Sequence, residues 1–238
     1  MRALSIAHHA DAGPGVFADA IRSRGWEHET WMAPAEPAPS VGGYRAVLVF
    51  GGAMNVDQED RYPWLAAEKA LLRDLVERRV PILGVCLGSQ LLAEAAGAAP
   101  RRASEPEIGW REVELTPEGR EDPVTGALAD RFDALQWHSY EAALPPGATA
   151  LAHSPVCLQA YHLDGSSWGI QFHAEVAFAD FESWIADYRS DPDAVRIGLD
   201  PERFRAETRD RIAAWNRLGA GLCGRFLDAV AGSRHSPR

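Results

Sequence analysis

The stretch Gly84-Val85-Cys86-Leu87-Gly88-Ser89-Gln90 places a cysteine two residues from a glycine on either side, directly after an apolar run. That is the spacing of a G-x-nucleophile-x-G elbow, in which a strand turns sharply into a helix. The nucleophile sits on a strained turn, and side chains at the flanking positions would collide with neighbouring backbone. An elbow also sets its cysteine at a helix N-terminus, where partial positive charge favours a thiolate. On the elbow alone, a packed thiol among close-packing glycines and a nucleophile stand level. A nucleophile needs a base. Of the eight histidines, His173 ends the apolar segment that begins at Trp168, and Glu175 follows two residues on. Residues i and i+2 of an extended chain share a face, so Glu175 can orient the His173 ring as the third member of a triad. Taken singly, each would be an ordinary surface residue. Together they stand at a strand's C-terminal end, where sites gather in open α/β sheets. Gly51-Gly52, after Tyr44 to Phe50, can bring backbone N–H groups to a substrate oxygen, with the Leu87 N–H as a second donor. An ordinary turn would use the same two glycines.

The elements that must position these groups alternate. Strands are expected at Ala3 to Ala7, His28 to Met32, Tyr44 to Phe50 and Pro81 to Val85. Helices are expected at Val16 to Arg24, after Pro63 as a first helical residue, and from Gln90 to Ala96. Trp64, Ala67, Leu71 and Leu75 recur at the spacing of one helix face. Nearly all-apolar strands between helices imply an open, mostly parallel twisted sheet covered on both faces, an α/β fold. Gly109 to Leu115 alternates apolar and charged residues, and Ala148 to Ala152, Val156 to His162 and Ser167 to Phe172 read as further strands, an antiparallel extension. Asp164-Gly165 marks a hairpin turn between the last two. Ser190 to Asp193 reads as a linker. Phe204, Thr208, Ile212 and Trp215 trace a helical stripe that packs on the main domain. The expected organisation is a domain over residues 1–190 and a helical extension over 191–238 on the same domain.

The 238 residues carry a net charge of −10, which argues against a nucleic-acid partner. No stretch approaches the ~20 apolar residues of a membrane helix. Cys86, Cys157 and Cys223 are too few for a disulfide framework, and the start of the chain is too short in apolar residues for a signal peptide. A cytoplasmic protein with no membrane association is expected. Gly219 to Gly224 fits G-x-G-x-x-G, but no strand precedes it and no acidic residue follows at the right distance. It reads as a helix break, and no cofactor is expected. No metal is expected either: His8 and His9 point to opposite faces of a strand, and His153 and His162 have no ligand-spaced companions. A structural or surface role is the default for all four.

Together, GGAMNVDQ, GVCLGSQ and GIQFHAEV resemble the class I, triad-type glutamine amidotransferases. The order Cys, His, then Glu two residues later is that family's, as is the separation of roughly 90 residues between the cysteine and histidine motifs. RYPWLAAEKALL is similar to stand-alone members like the amidotransferase domain of GMP synthase. The resemblance implies Cys86 as nucleophile, His173 as base, Glu175 as its orienter, and Gly52 and Leu87 as oxyanion donors. It also implies that Gly51, Gln90, Ser139 and Tyr140 contact substrate. The chemistry implied is hydrolysis of the glutamine side-chain amide through a γ-glutamyl thioester. Ala53 departs from the family, which usually carries proline there. The 48 residues after Ser190 are too few for a synthase domain, so the ammonia acceptor is expected on a separate synthase or ligase subunit, or there is none. Two other readings fit the same residues. A γ-glutamyl hydrolase or transferase would act on a γ-glutamyl amine or peptide and need no acceptor domain. A non-catalytic regulatory subunit would have no use for all three groups.

Overall fold

The computed structural model describes residues 1–35, 37–163 and 166–232. Its centre is one nine-stranded sheet. In chain order the elements begin with β1 (Arg2–Ala7), α1 (Gly15–Ser23), β2 (Glu27–Met32), β3 (Ala46–Val49), α2 (Trp64–Glu77), β4 (Ile82–Val85) and α3 (Leu87–Ala95). Then come β5 (Arg101–Leu115), α4 (Pro117–Glu121), β6 (Arg131–Glu141), β7 (Thr149–His153), β8 (Leu158–Leu163) and β9 (Ser167–Ile170). The chain closes with α5 (Phe178–Ala186), α6 (Pro192–Arg196) and α7 (Pro201–Gly232). The strand order is β2-β1-β3-β4-β9-β8-β7-β5-β6. The first five are parallel neighbours, and the pairings from β9 to β6 are antiparallel. The α/β fold is therefore a parallel half with an antiparallel extension.

The apolar character of β1, β3 and β4 follows from burial on both faces. Leu4, Ile6, Val47 and Val49 belong to one apolar cluster, with the α2 and α3 leucines. Ala3, Ala46, Leu48, Leu83 and Val85 belong to the other, with α1 and α7. Among the described residues no helix is long and apolar enough to cross a membrane.

Several elements differ from expectation. The third helix starts at Leu87 rather than Gln90, directly behind the cysteine. The strand expected at Gly109 reaches back to Arg101, because its N-terminal part pairs with β6. Ser190 to Asp193 is built into the fold rather than a linker. Asp191 caps α6 and accepts the Trp137 indole N–H at 2.8 Å, and Asp193 accepts from Arg102 and Arg196. The Asp164-Gly165 turn lies outside the described residues. Gly219 to Gly224 does not break a helix, because the whole stretch lies inside the continuous α7. The smallness of its outer glycines serves close approach. A Cβ on Gly219 would lie 1.8 Å from the Ala174 carbonyl oxygen, and one on Gly224 would strike the Arg24 guanidinium. The first contact abuts His173, so α7 and the expected base share a packing constraint.

Replacing Gly219 with alanine is therefore expected to destabilise the fold by about 2–3 kcal/mol, the usual cost of forcing a core contact apart. A urea midpoint measured on Gly219→Ala and on the control Gly221→Ala, which faces open space, checks this. Equal midpoints would mean the helix moves away freely.

Candidate active site

The chain leaves β4 at Val85 and enters α3 at Leu87, with Cys86 alone between them. Its φ of 52° lies in the left-handed region that non-glycine residues avoid. Both flanking glycines are needed there. A Cβ on Gly84 would sit 2.6 Å from the Gly88 carbonyl oxygen, and one on Gly88 would sit 2.1 Å from that of Val49. The Cys86 N–H donates to Ile170 O at 2.8 Å, and Gly88 N–H donates to Phe50 O at 3.1 Å. The elbow is thus tied to β9 on one side and to the end of β3 on the other. Cys86 is 6% exposed, and its thiol lies 3.9 Å from the backbone oxygen of Trp137.

His173 Nδ1 lies 2.8 Å from Glu175 Oε1, with both side chains buried. Their backbone is held from three directions. His173 N–H donates to Leu135 O of β6, the Trp215 indole of α7 donates to His173 O at 2.7 Å, and Val16 N–H of α1 donates to Glu175 O at 2.8 Å. Trp184 of α5 meets the His173 ring edge-on, with centroids 4.8 Å apart. Burial works to lower the His173 pKa, but Glu175 and the nearby Cys86 sulfur outweigh it and raise it to about 10. Gly51 lies against His173 and Cys86: a Cβ there would be 3.0 Å from His173 Cε1 and 3.7 Å from Cys86 Cβ. Gly52 lies beside Leu87, whose Cδ2 would be 3.3 Å from an added Cβ. Cys86, His173, Glu175, Gly51, Gly52 and Leu87 therefore converge.

The other expected substrate contacts have partners of their own. Gln90 is buried and donates its amide to Tyr140 O at 3.0 Å and to Gln171 Oε1 at 3.2 Å. The Tyr140 hydroxyl donates to Asp57 at 3.1 Å, and Ser139 neighbours Asp193. These bonds hold the end of β6 in place, with the backbone of Trp137 beside the thiol.

Two groups went unrecognised in the sequence. His8 directly follows β1 and its side chain is wholly buried against Glu68, so of the two default roles it has the structural one. His9 is an exposed partner of Asp11, as a surface histidine should be. The signal available for His8 was its position, at the C-terminal end of a parallel strand neighbouring β3. Glu107, His138 and Cys157 form a second buried group, with ligand atoms within 4.8 Å of one another. Glu107 Oε2 already accepts from Ser154 at 3.0 Å, Gln159 at 2.7 Å and Cys157 at 3.4 Å, the pattern of a hydrogen-bond hub. Burial and Glu107 push the Cys157 thiol far up, which keeps it protonated. Of the three cysteines, Cys157 and Cys223 are thus inert packing thiols, Cys223 being raised by burial to about 12.

A half-parallel sheet that brings a cysteine elbow and a histidine to adjacent strand ends is an arrangement able to support nucleophilic thiol chemistry. The model for class I glutamine amidotransferases matches residues 16–187, and the chain belongs to that family. It is 29% identical over 192 residues to the putative glutamine amidotransferase-like protein YfeJ of Salmonella typhimurium, covering 78% of this chain and 80% of that one. It is 31% identical over 162 residues to a glutamine-hydrolysing GMP synthase subunit of Ignicoccus hospitalis, covering 66% and 81%. Among solved structures, a Thermotoga maritima glutamine amidotransferase superposes with a TM-score of 0.84 at 28% identity, covering 98% of this chain and 99% of that one. One from Methylobacillus flagellatus gives 0.84 at 27% identity, covering 100% and 98%.

The raised His173 value has a consequence for stability. A raised pKa adds stability that is complete below the unfolded histidine's ~6.5 and is lost as pH climbs through the folded value. Denaturation of the wild type and Glu175→Gln between pH 6 and 10 should show the wild-type advantage largest at pH 6 and shrinking toward pH 10. A pH-independent difference would mean that the pair does not couple to His173 protonation.

Proposed function

We propose that this protein hydrolyses the side-chain amide of glutamine by nucleophilic catalysis at Cys86, with His173 as acid and base and Glu175 orienting it. The observation that carries the reading is the convergence of a strained elbow cysteine, a carboxylate-paired histidine and Gly51 within contact of both. The thiolate attacks the amide carbon, and the carbonyl oxygen takes the negative charge. The Gly52 and Leu87 N–H groups donate to that oxyanion, each donor worth about 3 kcal/mol of barrier. The tetrahedral species collapses as His173 gives its proton to the departing nitrogen, releasing ammonia and leaving a γ-glutamyl thioester on Cys86. His173 then removes a proton from water, which attacks the thioester and frees glutamate. Gly51, Gln90, Ser139 and Tyr140 border the glutamine, the last two through their backbone.

Released ammonia passes to a synthase or ligase subunit on a separate chain. Similarity to proteins named as glutamine-hydrolysing GMP synthase subunits supports such a partner. The described part of the 191–238 segment serves as a helical extension of the same domain, and three free cysteines suit a cytoplasmic setting.

Turnover of glutamine and a panel of N-substituted γ-glutamyl amides tests the reading. Cys86→Ala should lose at least about 10³-fold in kcat. Glutamine should be the preferred substrate. Undiminished turnover in the variant removes Cys86 from the mechanism, and a strong preference for substituted amides makes the protein a γ-glutamyl hydrolase.

A further inference from the structure

His8 and Glu68 lie directly behind the loop that faces Cys86. Both side chains have no exposed surface. His8 Nδ1 is 2.8 Å from Gly51 O, and His8 Nε2 is 3.0 Å from both Glu68 oxygens. The ring stacks on Trp64, with centroids 5.3 Å apart and planes at 21°. A Cβ on Gly52 would come within 3.1 Å of His8 Cβ, so a side chain at residue 52 would press on the histidine. A carbonyl oxygen can only accept a hydrogen bond, so Nδ1 carries a proton and donates it to Gly51 O. With Glu68 as a carboxylate, Nε2 donates as well, and the ring is a buried imidazolium. Burial works to lower the His8 pKa, but the charge and hydrogen bond of Glu68, with the carbonyls of Gly51 and Phe50, raise it.

The carbonyl that His8 holds belongs to the same peptide unit as the Gly52 N–H. In a trans peptide the C=O and N–H point in opposite directions. Pinning the Gly51 oxygen on one side therefore fixes the direction of the Gly52 N–H on the other. A donor on the carbonyl also polarises the amide and strengthens its N–H as a donor in turn. The constraint matters here because two adjacent glycines otherwise leave this backbone free to rotate.

We propose that His8 and Glu68 form a positioning pair that fixes and polarises the Gly51–Gly52 peptide, the expected oxyanion donor. This rests on the amidohydrolase reading above. Neither residue touches substrate. Glu68 holds His8, His8 holds the Gly51 oxygen, and the peptide presents its N–H to the developing charge. The effect falls on the transition state, so losing the pair lowers kcat and leaves ground-state binding nearly unchanged.

Three variants of the full chain separate positioning from folding. His8→Phe strands the Glu68 charge in the core and should lower the melting temperature as well as kcat. The double change His8→Phe/Glu68→Leu replaces the pair with apolar volume, which is often neutral for stability. Its melting temperature should recover toward that of the wild type. Its kcat for glutamine should stay about 10- to 100-fold low, with KM within about threefold. Glu68→Gln leaves a side-chain amide that can donate to Nε2 while Nδ1–H still holds Gly51, so kcat should stay within about fivefold of the wild type. A thermally restored double variant with wild-type kcat overturns the proposal, as does a loss confined to KM. If the wild type and Cys86→Ala turn over equally, the Cys86 mechanism on which the proposal rests fails, and the positioning role falls with it. That outcome is distinct from a Cys86-dependent enzyme indifferent to His8.

Discussion

One backbone contact governs the geometry of this molecule: the approach of Gly88 to the end of β3. Its Cα lies so close to the Val49 carbonyl that no Cβ fits between them, and its N–H bonds Phe50 O at 3.1 Å. The residue after Phe50 is Gly51. The contact therefore sets the elbow and the glycine loop in one frame, with no side chain as intermediary. The positive φ of Cys86 is a consequence. A strand that ends beside β3 and a helix that starts against it leave one residue in which to turn. Such a conformation costs about 1–3 kcal/mol and persists only where its surroundings over-determine it. The hydrogen bond from Cys86 N–H to Ile170 O and the burial of Val85 and Leu87 supply that determination.

The histidine side is built differently. After β9 the chain runs through His173 and Glu175 without regular structure, so its position is imposed from outside. It is held by β6, α7 and α1 through three separate hydrogen bonds. Gly15, at φ 45°, belongs to this arrangement: a Cβ there would meet Glu175 O at 2.0 Å. The N-terminal helix and the C-terminal helix thus meet at the histidine segment. α7 lies outside the span matched by the family model, yet it carries the indole that holds His173 O. The placing of His173 thus comes from elements distant in sequence, the kind of support a rigid site requires.

What was legible in the sequence follows from this contrast. The elbow is a local device, and its cysteine and two glycines lie within five residues. Strands buried on both faces announce themselves by their apolar runs, and the parallel half was readable for that reason. Glu175 was readable because two residues of extended chain suffice to bring it beside His173. Contacts across long separations left no local trace. Gly219 looked like a helix break because its reason, the Ala174 carbonyl, is 45 residues away in sequence. Ser190 to Asp193 looked like a linker because the Trp137 and Arg102 donors to Asp191 and Asp193 come from β6 and β5. His8 was passed over because its adjacency to His9 suggested opposite faces of a strand, while its partner lies on α2.

Among the described residues, three histidine–carboxylate contacts have both side chains almost wholly buried: His8–Glu68, His138–Glu107 and His173–Glu175. A buried pair of this kind seldom stabilises a fold beyond what apolar residues would give. Its worth lies in holding a position. His138–Glu107 joins β5 to β6 and, through Ser154 and Gln159, reaches β8. His138 Nδ1 also bonds Tyr140 O, the carbonyl that Gln90 holds from α3. His8–Glu68 joins the end of β1 to α2 and reaches the glycine loop. The three pairs thus stand around the elbow, each fixed to a different part of the sheet. Of the three histidines, His173 is the one that shares the Gly51 contact with Cys86, and its carboxylate takes Nδ1. In the other two pairs a backbone carbonyl, that of Gly51 or of Tyr140, occupies Nδ1 instead.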